Sequence, residues 1–458
     1  MSLYKRFSLV TIMAVLLNIS GYSQNEQALK LTIKDARDFA LENNRTIQSS
    51  RIDLNIANQK IKENLSTGLP QLSVDANYLH QFKIPELSFG PNFDPDLLPS
   101  GPVTGDDIRD AFSEGPAIPL GVKDNTVIDI TLSQLVFNGQ YLVALKTAKI
   151  ARNMSEKNIE KTEEQVKEDV EISYYLILVL QENIRLLKET EETLNKMYEE
   201  LSGLNKQGLN EETEVDQVVI NRSNIRAMIA SMEAQTAVAS KQFKYLLGID
   251  FEKDVVLTDS LNGIIDEGNL MYLKENEFDL QGSIDFQMVE IQEKINNQVL
   301  KLEKSKFLPT ISAFYRHEEQ TNQPTFNFAV KDVIGANLNL PIYSGGMRSS
   351  RVKQAKYDLE KIRLTRKDTE QGLTMAYETA QNNYQSAYNT FTINRESMDL
   401  SQKVYDRTLI KYREGVSSSF ELTQIHNQFL TAESNYYNSL LSLLRSKAEL
   451  DRILRINK

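Results

Sequence analysis

The sequence of 458 residues contains no cysteine, no tryptophan and only three histidines. Without cysteine there can be no disulfide, no thiolate metal ligand, no cysteine nucleophile and no lipid-bearing N-terminal cysteine. His80, His317 and His426 lie far apart and show no metal-ligand spacing, so an enzyme built on histidine or cysteine is disfavoured and no cofactor or metal is expected. No basic run stands out, and the 52 Lys+Arg against 63 Asp+Glu give a formal net charge of -11, which opposes a phosphate backbone and argues against nucleic acid as a partner. Long apolar runs are scarce as well. Beyond the first residues the best is Ile172 to Leu180, nine residues long, against the roughly 18 that a membrane helix needs. If this chain crosses a bilayer, it must use strands.

What is present begins with a targeting pattern. Lys5 and Arg6 precede the apolar stretch from Phe7 to Ile19, and Gly21 and Ser23 are small residues suited to cleavage, so residues 1–23 read as a secretory signal peptide. The exported remainder would carry a net charge of (52 - 2) - 63 = -13.

The remainder is a tandem repeat. Leu69-Pro70-Gln71-Leu72-Ser73 matches Leu308-Pro309-Thr310-Ile311-Ser312; Val136-Phe137-Asn138-Gly139 matches Ile342-Tyr343-Ser344-Gly345; and Gly208 followed by Glu214 matches Gly415 followed by Glu421. The offsets are 239, 206 and 207, so the first copy holds a surplus of 239 - 206 = 33 residues between its first two landmarks. Residues 83–123 account for it, with seven of the eleven prolines and seven acids against three bases. That composition predicts disorder or a loose surface cover. The copies span 24–248 and 283–458, joined by an acidic segment, 249–282, that lacks both helix and strand periodicity and reads as a side elaboration.

Period-two alternation predicts strands at about 71–81 and 126–134 in the first copy and at about 310–317 and 327–340 in the second. Leu72, Val74, Ala76 and Tyr78 share one face, as do Ile128, Ile130 and Leu132. Strands of this kind suit a tilted transmembrane hairpin or a small soluble sheet. After the second strand of the first copy, positions stepping alternately by four and three through Val166, Val170, Ser173, Ile177, Leu180, Ile184, Leu187, Glu191, Leu194, Tyr198 and Leu201 are apolar except for Ser173 and Glu191. Past Gly208 the same pattern resumes through Val215, Val218, Arg222, Ile225, Ile229, Met232, Thr236, Ala239, Phe243 and Leu246, broken only by Arg222 and Thr236, which predicts a coiled-coil helical hairpin with its tip near 208–214. The second copy repeats it after Gly415 with Leu422, Ile425, Phe429, Ala432 and Tyr436, and its tip falls near 415–421. The fold class is mixed and mainly α. Four strands are too few to close a transmembrane barrel and a lipid-exposed edge is not tolerated, so a membrane-spanning form must oligomerise into a short barrel continued by helices, which is a duct.

Several features together resemble the TolC-like outer membrane efflux proteins over Leu31 to Leu450. They are the opening segment from Leu31 to Asn44, the two Leu-Pro strand starts, Leu340-Pro341-Ile342-Tyr343-Ser344-Gly345-Gly346 with Arg348, and Tyr412-Arg413-Glu414-Gly415 followed by Glu421. The resemblance implies a homotrimer with a twelve-stranded barrel in the outer membrane and a periplasmic α-helical barrel, passive conduction, and as partners a periplasmic adaptor, an inner-membrane pump and outer membrane lipid. It makes Gly208, Glu214, Tyr412, Gly415, Ser418 and Glu421 candidates for the periplasmic tip, and Gly139, Pro341, Gly345 and Gly346 the strand-to-helix turns. The first copy departs at its turn, with Leu135 for Pro341 and Gln140 for Gly346. Glu421 has two readings: an acid of the tip gate, or half of a capping box with Ser418. Tyr412 reads as a tip contact or a packed aromatic. A trimeric coiled-coil adhesin or periplasmic scaffold shares the heptads and export signal but does not need two apolar-faced strand pairs.

Overall fold

A computed structural model describes residues 29–455, other than 89–91, 95, 97–99, 111, 114–116, 266–277, 324–326 and 328; the expected signal peptide 1–23 lies outside them. In chain order the described elements are β1 (Leu29–Leu31), α1 (Ile33–Asn43), α2 (Arg45–Ser66), β2 (Gln71–His80), β3 (Glu86–Ser88), β4 (Asn92–Phe93), α3 (Gly105–Asp110), β5 (Phe112–Ser113), β6 (Ala117–Pro119), β7 (Asp124–Asn138) and α4 (Gly139–Lys206). Then follow α5 (Glu212–Leu247), β8 (Val255–Leu257), α6 (Leu261–Ile264), α7 (Ile284–Ser305), β9 (Thr310–Gln320), β10 (Asp332–Asn339), α8 (Met347–Arg413) and α9 (Ser419–Leu454). The chain divides into two units, one formed by Asp53–Glu156 and Met288–Lys367, the other by the described parts of 29–52, 157–287 and 368–455.

The first unit holds a four-stranded antiparallel sheet in the order β10-β9-β7-β2. Alternation in sequence becomes a two-faced sheet because Leu72, Val74 and Ala76 stand opposite Leu132, Ile130 and Ile128. That apolar face is open: Leu72 is 69% exposed, Val74 63%, Leu338 67% and Ile334 85%. Between Leu135 and Phe137 the β7·β9 ladder slips by one residue, leaving Val136 as a bulge. The last strand is shorter than the alternation predicted, Asp332–Asn339 rather than 327–340.

The excursion after β2 differs from expectation. Instead of a wholly irregular loop, its described residues include an antiparallel ribbon in which β3 pairs with β6 and β4 with β5. It continues the β2·β7 hairpin through Gln81 N–H to Lys123 O at 2.8 Å and Leu120 N–H to Pro85 O at 2.9 Å. Pro85 and Pro119 sit at ribbon ends, where a missing N–H costs no ladder bond.

In the second unit the coiled-coil seams are buried. Ala36, Ala40 and Ile47 pack with Val170, Tyr174 and Ile177 of α4 and Phe243 and Leu247 of α5. A further cluster joins Leu187, Leu194 and Leu201 to Val218, Ile225, Ile229 and Leu422. Each fully buried leucine contributes about 1.5 to 3 kcal/mol relative to exposure. The seam of α9 is rotated from the expected one: it buries Leu422, Ala432, Tyr437, Leu440 and Leu444 but also His426 and Glu433, while Ile425, Phe429 and Tyr436 are half-buried. Two polar side chains on the seam hid this stripe from a count of apolar residues.

The inter-repeat segment is also more than an elaboration. Its β8 pairs in parallel with β1, Leu29 to Leu31 opposite Val255 to Leu257. Next to it, Asp259 accepts from the Ile33 N–H at 2.7 Å and from the Tyr174 hydroxyl at 2.9 Å, tying the start of α1 to α4. A three-residue strand is too short to show periodicity.

Candidate functional site: hairpin tips and strand-to-helix turns

The two hairpin tips share one local design. Gly208 and Gly415 adopt φ of 72° and 74°, a left-handed conformation that favours glycine. Each ends its helix in a Schellman closure: Leu209 N–H reaches Leu204 O at 3.0 Å, and Val416 N–H reaches Lys411 O at 2.8 Å. The residues that follow stay open, with Leu209 70%, Val416 76% and Phe420 75% exposed.

The tips are held together by a common core. Leu201, Val215 and Val218 of the first hairpin and Tyr405, Leu409, Tyr412 and Leu422 of the second belong to one cluster. Tyr412 is therefore a packed aromatic; burial pushes its phenol up to about 12, with Glu214 and then Glu200 adding to the shift. Its hydroxyl has no hydrogen-bond partner among the described residues. Glu214 lies in the first turn of α5, where a carboxylate meets the positive end of the helix dipole.

Glu421 lies in the first turn of α9. The Ser418 hydroxyl accepts from the Glu421 backbone N–H at 3.2 Å, which is half of a capping box. The reciprocal half is replaced: the Glu421 carboxylate accepts from the Ser417 hydroxyl at 2.8 Å instead of from Ser418 N–H. The cap thus depends on the Ser418 side chain and not on the charge of Glu421.

The strand-to-helix turns use glycine for two different reasons. Gly345 and Gly346 have φ of 58° and 82°, so the second copy turns through a left-handed loop. Arg348 fixes that loop, donating to Pro341 O at 2.6 Å and Ser344 Oγ at 3.0 Å while its guanidinium lies 5.0 Å from the Phe307 ring centre. In the first copy β7 passes directly into α4, and a Cβ on Gly139 would come within 2.7 Å of Leu308 Cδ1, so close packing selects glycine there.

Two features escaped the sequence reading. Tyr78 and His80 both bond Asp124 Oδ1, each at 2.7 Å, and Tyr315 and His317 bond Asp332 Oδ1 at 2.6 and 2.8 Å. A Tyr-x-His recurrence was the available signal, but the aspartates come from the neighbouring strands. On α9, His426 Nε2 and Glu433 Oε1 are buried without partners among the described residues. Burial lowers His426 to about 4; burial, and then Glu182, raises Glu433 to about 7.

Comparison with known proteins is consistent with this geometry. Residues 279–454 match a family model described as outer membrane efflux protein. No curated protein matches at a significant level. Among solved structures, the Campylobacter jejuni CmeC outer membrane channel is similar at TM-score 0.70 and 17% identity, over 92% of this chain and 85% of that one. CusC, in a study of its folding and transmembrane channel formation, is similar at TM-score 0.70 and 14% identity, over 92% and 91%. The Vibrio cholerae outer membrane protein VceC is similar at TM-score 0.66 and 13% identity, over 92% and 95%. The resemblance to the TolC-like outer membrane efflux proteins therefore holds, in sequence over residues 279–454 and in fold over 92% of the chain.

Proposed function

We propose that the chain is an outer membrane exit duct, conducting small molecules or polypeptides passively toward the exterior. The observation that carries this reading is the sheet: Leu72 and Val74, Ile130 and Leu132, Tyr315, and Ile334 and Leu338 expose apolar side chains on one face of all four strands, and β10 and β2 are free edges among the described strands. Water does not tolerate such a face over a large area and lipid does not tolerate such edges. Three copies of four strands supply twelve, within the range of closed outer membrane barrels. The polar face, with Ser73, Asp75 and Asn77 opposite Thr131, Asp129 and Val127, would then line the lumen.

The helical hairpins would continue the duct into the periplasm and end at the tips. There the exposed Leu209, Val416 and Phe420 offer an apolar rim for a periplasmic adaptor, itself joined to an inner-membrane pump that supplies the energy. Nothing in this reading asks the chain itself to perform catalysis. Planar-bilayer recording from purified protein tests it: discrete, ohmic channels are expected, and a trimer that inserts yet never conducts would contradict it.

A further inference from the structure

Resting on the proposal that further copies close the free edges, we infer the register of that closure: β10 of one copy pairs with β2 of the next as β7 pairs with β9 within the chain. The internal repeat makes β2·β7 and β9·β10 equivalent pairs, through the offsets of 239 and 206. The β7·β9 ladder is the junction from one pair to the next. The following junction, from β10 onward, has no partner among the described strands of a single chain.

The known ladder transfers residue by residue. Asn138 opposite Thr310 becomes Ser344 opposite Gln71, and Phe137 opposite Ile311 becomes Tyr343 opposite Leu72. The bulge at Val136 becomes a bulge at Ile342, and Thr131 opposite Arg316 becomes Asn337 opposite Asn77. Ile130 opposite His317 becomes Ala336 opposite Tyr78.

Three observations that the transfer did not use agree with it. Faces match: Leu340, Leu338 and Ala336 meet Val74, Ala76 and Tyr78, while Asn339 and Asn337 meet Asp75 and Asn77 on the polar side. A one-residue slip in either direction would set Leu338 and Leu340 against polar residues. Exposure matches too, since Phe137, which has its partner strand, is 36% exposed, whereas its counterpart Tyr343 is 89% exposed and Ile342 likewise 89%. Finally, Pro341 takes the place of Leu135 beside the bulge, where the ladder is already interrupted and a missing N–H is tolerated.

A two-residue slip would preserve the faces, so the test must resolve it. The absence of cysteine makes introduced pairs unambiguous, and residues directly opposite on paired strands come close enough for a disulfide. Full-length protein carrying Asn77→Cys with Asn337→Cys should, after oxidation of membranes, convert most of the monomer band into covalent dimers and trimers on non-reducing denaturing gels. The slipped pairs Asp75→Cys with Asn337→Cys and Leu79→Cys with Asn337→Cys should leave the monomer band dominant. Thr131→Cys with Arg316→Cys, the template pair, should link within one chain and serves as the folding control. Preferential linkage of a slipped pair overturns the inferred register while leaving closure by copies intact. Absence of inter-chain linkage in all three pairs, with the control linked, overturns the closure itself.

Discussion

The Ser417 hydroxyl donates to the Glu421 carboxylate at 2.8 Å, while the neighbouring Ser418 caps α9 through the Glu421 backbone. The charge of Glu421 and the cap of its helix are therefore separable. Ser418→Ala should lower thermal stability by about 1 kcal/mol without altering ion selectivity. Glu421→Gln should keep the cap and weaken cation preference in a planar bilayer, because carboxylates gathered near a narrow pore attract cations. Equal selectivity in parent and Glu421→Gln would assign the acid no role in conduction.

Ile130 and Asp129 point to opposite faces of β7, and the two should respond oppositely to substitution. Ile130→Arg places a cation on the apolar face and should cost about 2 to 4 kcal/mol of insertion near the bilayer midplane. Asp129→Asn should insert normally. Quantifying each variant in the outer membrane fraction decides the matter, and equal recovery would reverse the assignment of faces.

The buried pair on α9 predicts opposite pH limbs. Glu433 has a raised pKa, so its stabilising contribution is complete below its ordinary value near 4.5 and is lost as pH rises through about 7. His426 has a lowered pKa, so its contribution is complete above 6.5 and is lost as pH falls through about 4. Glu433→Gln should flatten the alkaline limb of a melting-temperature profile and leave the acid limb in place; an unchanged alkaline limb would mean that Glu433 does not titrate in this range.

The ribbon within the excursion is joined to the main hairpin only through its base among the described backbone bonds, at Gln81 and Lys123 and at Pro85 and Leu120. Replacing residues 83–121 with a short turn should preserve trimers, since loop-closure free energy changes slowly with length. Loss of trimer from a well-expressed deletion variant would show that the ribbon packs structurally.

How much of this was legible in sequence depends on the range of each interaction. The strands and the α4 and α5 seams were readable because each repeats one local rule: Val170, Ile177, Leu187 and Leu194 are spaced for a helix, and Leu72, Val74 and Ala76 for a sheet face. Gly208 and Gly415 were readable as helix ends because a left-handed residue favours glycine. Gly139 was visible as a landmark but not for its reason, which is contact with Leu308, distant in sequence. The same holds for Asp259 beneath Tyr174 and for Asp124 between Tyr78 and His80. His426 and Glu433 were missed for the opposite cause, being polar residues on a seam where a hydrophobic pattern is sought.

The central claim, that copies of this chain close an outer membrane duct, is tested most directly by the native mass of the protein extracted in mild detergent from purified outer membranes. Three chains per particle are expected, falling to single chains only on heating. Recovery as monomers, or as any assembly from the soluble periplasmic fraction, would contradict it.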